Sequence, residues 1–447
     1  MNPKMRVRTI VIIAFVTVFF DTMNNALIVP VLPFLLTELG STSMQEGILF
    51  SSYSIFQLIS LLFMGPLSDV YGRKPFILLS LFGSCFGSIF QGMSRDVISL
   101  IIWRSFTGLF SGSLILVQAV IADIIPAEQR NTYLTRLEGC ISAAYIIGPA
   151  VGGVLAQVNY HFPMYVAGVI SGIAMVIALF ILKESHPGLV DEEGNPRRGK
   201  TEKKQKKEPK KSIVKPRITL LMLSCFVSEF CIRWAASAYD SRYGIYLSDK
   251  FEIKSFTYSV VVVVQSLVCL IMHVLIYPLL TTKLCIPIPY LCIVGYLITI
   301  GGYIGMSAST TMMGSIIASS ILWIGYPLVT PTSVSIISTT HSKDVQGTVL
   351  SWNNFCYQGS LIICPLVLSA IYSKNRDAIF YFSSVLSLIG LLVVSPLACR
   401  KDVKTLGKVS LLDTQEMPIK QDIELKPLEN NLDASLDKQK TMDVSPT

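Results

Sequence analysis

Ionisable side chains within long apolar segments are the first candidates for chemistry in this sequence. Asp21 lies in the middle of a hydrophobic run, and Asn24 and Asn25 follow it three and four residues later. A carboxylate near the centre of a bilayer costs about 2.5–3.5 kcal/mol on insertion scales, so it requires a partner or a function. Residues at these spacings share one face of a helix. Asp21 is therefore predicted to attract a cationic solute, to exchange a coupling proton, or both; alternatively, a neighbouring helix satisfies it and it only fixes packing.

Three further charges stand in apolar segments. A buried guanidinium keeps its charge and needs a carboxylate or carbonyl partner, so Arg104 either tunes an acid such as Asp21 or clamps one group of helices. Glu229 and Arg233 are four residues apart on one helical face. They either neutralise each other or form a second proton site whose pairing breaks during a working cycle. The amide side chains expected to line a central substrate cavity include Gln118 and Asn354.

Composition indicates which elements hold these residues. The chain of 447 residues is 51% hydrophobic and only 15% charged, with a mean hydropathy of +0.57. About 20 apolar residues cross the hydrocarbon core as a helix, and only helices or closed barrels satisfy their backbone groups in lipid. The apolar runs are too long and too uniform for barrel strands, which alternate polar and apolar residues. The predicted fold class is an all-α polytopic membrane protein.

Hydropathy predicts twelve transmembrane helices in two bundles of six. The expected spans lie near 9–37, 44–66, 75–93, 97–122, 133–156, 162–182, 217–246, 256–280, 284–306, 310–338, 346–372 and 378–399. The corresponding domains are an N-terminal bundle at 1–182, a basic linker at 183–216, a C-terminal bundle at 217–399 and a disordered polar tail at 400–447. The polar composition of the linker and the tail is typical of disordered segments.

Charge distribution predicts the orientation in the membrane. Much of the net charge of +8 comes from the segment KTEKKQKKEPKK in the predicted linker, so it is not a nucleic-acid signal. Because basic loops remain on the cytoplasmic side, both termini and the linker are predicted to be cytosolic. The membrane is either the plasma membrane or that of an internal organelle. Most cysteines fall within apolar runs without metal-ligand spacing, so neither a metal site nor a cofactor is expected.

The loop after the second predicted span carries a family signature. Its sequence, GPLSDVYGRK from Gly65 to Lys74, resembles the G-x-L-x-D-x-x-G-R-[RK] pattern of the major facilitator superfamily. Gly65 and Gly72 permit close helix approach and a tight turn, and Asp69 can pair with Arg73. The resemblance implies that this loop latches the inner gate while the transporter faces outward.

Two further stretches extend the expected gating network and the helix packing. DIIPAEQR, from Asp123 to Arg130, resembles the charged elements at the inner ends of spans 4 and 5 in this family, so both residues are expected to join the charge network. GPAVGG resembles the antiporter motif of span 5, in which small residues pack helices closely. Its key residues are Gly148, Pro149, Gly152 and Gly153. The two upstream glycines of that motif are replaced by Thr135 and Ala144, which is also compatible with an importer.

The spacing of Asp21, Pro30 and Pro33 in span 1 resembles the twelve-span drug:proton antiporters, a branch that includes tetracycline efflux proteins and vesicular amine transporters. This implies a secondary active transporter that exchanges protons for a small organic, cationic or drug-like solute by alternating access around a midplane site. The alternatives are a proton-coupled importer or uniporter of a nutrient or metabolite, and a non-transporting receptor. An enzyme is not expected. The expected partners are the solute, protons and membrane lipids, with no nucleic acid, and the expected state is a monomer.

Overall fold

The computed structural model describes residues 3–185, 219–340 and 343–399. The predicted tail at 400–447 and all but the beginning of the predicted linker at 183–216 therefore lie outside the described residues. Within the described ranges the chain forms helices without strands, and twelve of these stretches are long and apolar enough to cross a membrane. The predicted all-α polytopic fold is confirmed.

The first six spans form the N-terminal half. Four of them are continuous helices and two are interrupted, and spans 2 and 5 each contain a proline without a break. Their bounds are Pro3–Ile28 continued by Leu32–Glu38 (span 1), Ser43–Tyr71 (span 2), Arg73–Met93 (span 3), Val97–Leu109 and Ser113–Ile124 (span 4), Ala127–Leu155 (span 5) and Phe162–Ile181 (span 6).

The last six spans form the C-terminal half, and spans 7 and 8 contain π-helical turns. Their bounds are Leu220–Ala238, the π turn Tyr239–Tyr243 and Gly244–Phe251 (span 7); Ser255–Ile271 with π turns Met272–Ile276 and Leu279–Lys283 (span 8); Ile288–Ala308 (span 9); Met312–Thr340 (span 10); Lys343–Tyr372 (span 11); and Ala378–Cys399 (span 12). Span 7 thus extends beyond its predicted end at 246, because its residues continue in helical geometry through the π turn.

Local sequence explains several helix ends. Span 2 begins with a capping box, in which the Thr42 side chain accepts a hydrogen bond from the Gln45 amide and Gln45 bonds back to the Thr42 backbone. Asp96 caps span 4 by accepting from the amide of Ser99. Between spans 2 and 3 the chain turns at Gly72, whose φ of 99° is a conformation that favours glycine.

The two halves meet at one face of the membrane. We call the face where span 1 begins the terminus face and the opposite one the far face. Near the far face, spans 2 and 11 are so close that a Cβ on Gly47 would lie 2.7 Å from the carbonyl oxygen of Pro365. The Ser51 hydroxyl donates to the carbonyl oxygen of Ile362 at 2.7 Å. The rings of Phe34 and Tyr258, from opposite halves, lie 5.8 Å apart.

The same helices diverge toward the terminus face. Leu62 lies three turns after Ser51 on the same side of span 2, and it is 59% exposed. Phe355 lies two turns before Ile362 on the matching side of span 11, and it is 57% exposed. A Cβ on Gly65 would meet no atom within 4 Å. The space between the halves is therefore closed at the far face and open at the terminus face.

Candidate functional site

Asp21 lies on span 1 within the N-terminal half, where it is half-buried and two hydroxyl groups hold it in place. Ser84 of span 3 donates to its Oδ1 at 2.6 Å, and Ser113 of span 4 donates to its Oδ2 in a short hydrogen bond. Ser113 is the first residue after the break in span 4 at Phe110–Gly112. The break thus brings both a hydroxyl and the positive end of a helix to the carboxylate. Hydrogen bonds of this kind stabilise the charged form.

The two asparagines that follow Asp21 point in different directions. Asn24 is 2% exposed, and its Nδ2 lies 2.9 Å from Ser88 Oγ, Ala167 O and Ser171 Oγ. It therefore packs between spans 3 and 6 rather than lining the cavity, so its predicted role at the substrate site is wrong. The physical reason is the helical advance of about 100° per residue, which turns positions three and four residues after Asp21 to opposite sides of it. Asn25 faces spans 2 and 4.

Arg104 is clamped within the N-terminal half. Its guanidinium donates to Asn25 Oδ1 at 2.9 Å and lies 4.3 Å from the centre of the Tyr53 ring. Asn25 in turn donates to the Tyr53 hydroxyl at 3.1 Å. Arg104 is 2% exposed and makes no ion pair with any described residue, and its Nε and Nη1 have no hydrogen-bond partner there. Of the two roles predicted for Arg104, the contacts favour the structural clamp.

Glu229 and Arg233 form an ion pair on span 7. Arg233 Nε lies 2.7 Å from Glu229 Oε1, and Arg233 Nη1 donates to the Tyr326 hydroxyl at 2.8 Å. The guanidinium also covers the ring of Tyr357 at 4.7 Å. Glu229 is 2% exposed, whereas the Arg233 side chain is 27% exposed. The acid is therefore sealed behind its partner in this conformation.

Two amides predicted to line the cavity, and two acids outside the predicted site, lie on spans 4, 11, 5 and 7. Gln118 is half-buried on span 4, and Asn354 is exposed one turn from Tyr357 on span 11. Glu138 of span 5 is exposed and lies within electrostatic range of Arg233. Asp240 is exposed in the π turn of span 7. Asp240 was not among the sequence candidates, although it lies within the predicted span 7 at 217–246, and an acid in an apolar span is the signal that could have found it.

A charge network joins the terminus-face ends of spans 2, 3 and 4. Arg73 pairs with Asp69 at 2.5 Å and with Asp123 at 2.9 Å. The backbone amides of Arg73 and Lys74 donate to the carboxylate of Glu184, which follows span 6. The loop between spans 2 and 3 is therefore anchored to the N-terminal half on both sides. Glu184 was not among the sequence candidates.

Arg130 joins this region through the backbone. Its guanidinium donates to the carbonyl oxygen of Ala122 at 2.8 Å, next to Asp123. Arg130 forms no ion pair with Asp123. The network predicted to contain four charged side chains therefore contains three, Asp69, Arg73 and Asp123. The last turn of span 4 has carbonyl groups without helical partners, and these compete with the Asp123 carboxylate for the Arg130 guanidinium.

Glycines of span 5 allow close packing on two sides. A Cβ on Gly148 would lie 2.5 Å from the Cβ of Ala26, and one on Gly152 would lie 2.5 Å from the carbonyl oxygen of Leu27. These two positions bring spans 1 and 5 together next to Pro149. Gly153 instead faces Ser259 of span 8, across the boundary between the halves.

At the far face, a buried ion pair joins the two halves. Arg242 Nη1 of span 7 lies 2.6 Å from Glu46 Oε2 of span 2, and the two side chains are 0% and 6% exposed. Arg242 also donates to the carbonyl oxygen of Ser43 at 2.7 Å and to the hydroxyl of Ser369. We call these four residues the far lock. The sequence signal was a charged residue near the predicted end of each span.

A family model described as Major Facilitator Superfamily matches residues 14–365. The chain belongs to the major facilitator superfamily. The resemblance inferred from the loop after span 2 is thereby confirmed, and the chain is a multi-pass membrane transporter of this superfamily.

Individual superfamily members provide further comparison. Multidrug resistance protein 2 of Bacillus subtilis (strain 168) is 26% identical over 390 residues, which is 86% of this chain and 94% of the relative. The tetracycline resistance protein, class E, of Escherichia coli is 34% identical over 179 residues, which is 39% of this chain and 44% of the relative. The crystal structure of the human organic anion transporter MFSD10 (TETRAN) superposes with a TM-score of 0.61 at 17% identity, covering 87% of this chain and 99% of that one.

Proposed function

We propose that this superfamily member exports a small organic, cationic or drug-like solute in exchange for protons. The half-buried carboxylate of Asp21, which two hydroxyl groups hold within the first span, is the observation that carries this proposal. A carboxylate at this depth can hold either a proton or a cationic solute, so loading one releases the other. Relatives named for multidrug and tetracycline resistance support efflux as the direction.

The proposal includes an orientation and a cycle. Basic residues are concentrated in the segment 183–216, which supports cytosolic termini and linker. The terminus face is then cytosolic, and the conformation described above is open to the cytosol. The halves, with proposed boundaries at 1–182 and 217–399, would rock around the midplane to open the far face. A monomer is sufficient for this cycle, with lipids surrounding it.

The test uses the full chain reconstituted into liposomes with ethidium as the cationic probe. We expect a pH gradient to drive ethidium against its concentration gradient, and dissipation of the pH gradient to abolish this accumulation. Asp21→Asn should remove the dependence on the gradient while ethidium exchange continues, because an amide cannot carry the coupling proton. Asp377→Asn, at a partly exposed acid of the far face, serves as the matched control and should transport like the unmodified chain.

Ethidium accumulation that is indifferent to the pH gradient would rule out proton exchange. In that case, counterflow without a gradient would identify a uniporter. Uptake that the pH gradient drives in the same direction as protons would instead identify a proton-coupled importer. Unchanged coupling in Asp21→Asn would show that Asp21 is a packing residue.

A further inference from the structure

Asp240 is a carboxylate for which the mechanism above has no role. It lies in the π turn Tyr239–Tyr243, with a helix of span 7 on each side. Its side chain is exposed, and it forms no hydrogen bond or ion pair with any residue that the structure describes. An unpaired carboxylate within a membrane span is costly, so a partner from outside the chain is the simplest explanation for its presence.

The surroundings of Asp240 show that it faces the central space rather than lipid. It lies two turns after Arg233 on the same side of span 7, and Arg233 contacts Tyr326 of span 10 and Tyr357 of span 11. The Asp240 carboxylate is also within electrostatic range of Tyr145 on span 5. These three spans come from both halves and border the boundary between them. A side chain that is exposed and yet enclosed by three spans in addition to its own lies in a cavity.

Asp240 also marks the closed end of that cavity. Two residues further along span 7, Arg242 is fully buried in the far lock. The ring of Tyr258, which packs against Phe34, covers the same end together with the buried Tyr243. A solute that enters from the terminus face therefore reaches Asp240 as the last charged group before the barrier.

The accessible charge around this position is negative. Arg233 is neutralised by Glu229, Arg104 is buried against Tyr53, and Arg242 is buried against Glu46. Among the described charged residues of the cavity, Asp240 and Glu138 are exposed acids that form no ion pair. Such a lining attracts a cation and repels an anion.

An aromatic wall adjoins the carboxylate. Tyr239 contacts Trp323 edge to face with ring centres 5.3 Å apart, and Trp323 contacts Tyr326 at 5.2 Å. The indole Nε1 of Trp323 has no hydrogen-bond partner among the described residues. Tyr145, on the other half, is 49% exposed. Faces of such rings bind organic cations, whose charge is spread over an apolar body.

We propose that Asp240 and the rings of Tyr145 and Trp323 form the binding site for a monovalent hydrophobic organic cation. The proposal rests on the proposed transport function and specifies its substrate class. Asp240 provides the charge, and the rings provide an apolar surface that a small inorganic cation does not use. Asp21 then remains available for the coupling proton.

Equilibrium binding to the full chain in detergent tests this site without transport or a gradient. The probes are tetraphenylphosphonium and tetraphenylborate, which have the same shape and opposite charge. We expect Asp240→Asn to weaken tetraphenylphosphonium binding by about tenfold or more and to leave or improve tetraphenylborate binding. Asp240→Glu should recover most of the affinity, and Tyr145→Ala should lose about three- to tenfold.

Two outcomes overturn the site. Asp240→Asn with unchanged tetraphenylphosphonium affinity would show that Asp240 does not bind the cation. An equal loss in Glu138→Gln would show that the cavity attracts cations only through its overall charge. Because binding is measured without protons being moved, failure of proton coupling in liposomes leaves this result intact, and failure here leaves the coupling experiment intact. A melting temperature for each variant excludes misfolding.

Discussion

Glu46 and Arg242 form an ion pair between the two halves of the transporter, with 2.6 Å between Oε2 and Nη1 and both side chains buried. Ser41 donates to the other carboxylate oxygen of Glu46, and Arg242 binds the carbonyl oxygen of Ser43. Each charge is thus satisfied only while spans 2 and 7 stay together. The pair stabilises the conformation that is closed at the far face, and it must break for that face to open.

Glu46→Gln is expected to favour opening at the far face. The substitution leaves a buried guanidinium without its counter-charge, and breaking a buried pair in this way typically costs about 3–5 kcal/mol. Hydrogen–deuterium exchange should show faster exchange in 43–51 and 362–372. Asp377→Asn removes a partly exposed pair with Lys250 at the same face and should have little effect. If these segments exchange no faster in Glu46→Gln than in the unmodified chain, the proposed role of the far lock is contradicted.

Gly47→Val and Gly65→Val are expected to act on opposite faces. A side chain at Gly47 collides with the Pro365 carbonyl, whereas one at Gly65 meets nothing within 4 Å in this conformation. Gly47→Val should therefore hold the far face open, and Gly65→Val should preserve the present conformation but hinder closure of the terminus face. Exchange measured on both faces of each variant separates these effects, and the same response in both variants would refute the assignment.

Gly72→Ala is expected to destabilise the loop between spans 2 and 3. At φ 99° and ψ 161° a Cβ is strained by about 1–3 kcal/mol. The displaced loop would also disturb the pairing of Arg73 with Asp69 and Asp123. Thermal melting in detergent should show a lower midpoint than for Gly139→Ala, a helical glycine with open space around it. Equal midpoints would show that the turn relaxes without cost.

Arg104→Lys is expected to lower stability although it conserves charge. An ammonium group cannot place donors on Asn25 while covering the Tyr53 ring as a planar guanidinium does. Losing these contacts should cost about 1–3 kcal/mol in the N-terminal half. The melting midpoint measures the loss, and Arg95→Lys, at an exposed position between spans 3 and 4, is the control. A midpoint equal to that of the control would argue against the clamp.

The sequence was sufficient for the fold because the length and uniformity of apolar runs determine membrane spans directly. It was also sufficient to find Asp21, since an acid in such a run is rare. It could not show that Asn24 faces spans 3 and 6, because periodicity defines a helix face without naming its neighbours. The pairing of Glu46 with Arg242 could not be predicted from the sequence either. It joins residues 196 positions apart, and it forms only when the far face is closed.

The π turn at Tyr239–Tyr243 places one slipped hydrogen-bond register in the middle of span 7. If that register returned to α-helical geometry, the segment Gly244–Phe251 would rotate by about 100° and shift by about 1.5 Å relative to Leu220–Ala238. Such a screw motion would withdraw the Arg242 side chain from its socket and turn Asp240 at the same time. A single helical turn can therefore connect occupancy in the middle of the membrane to release of the far lock, and the rocking of the two halves follows from that release.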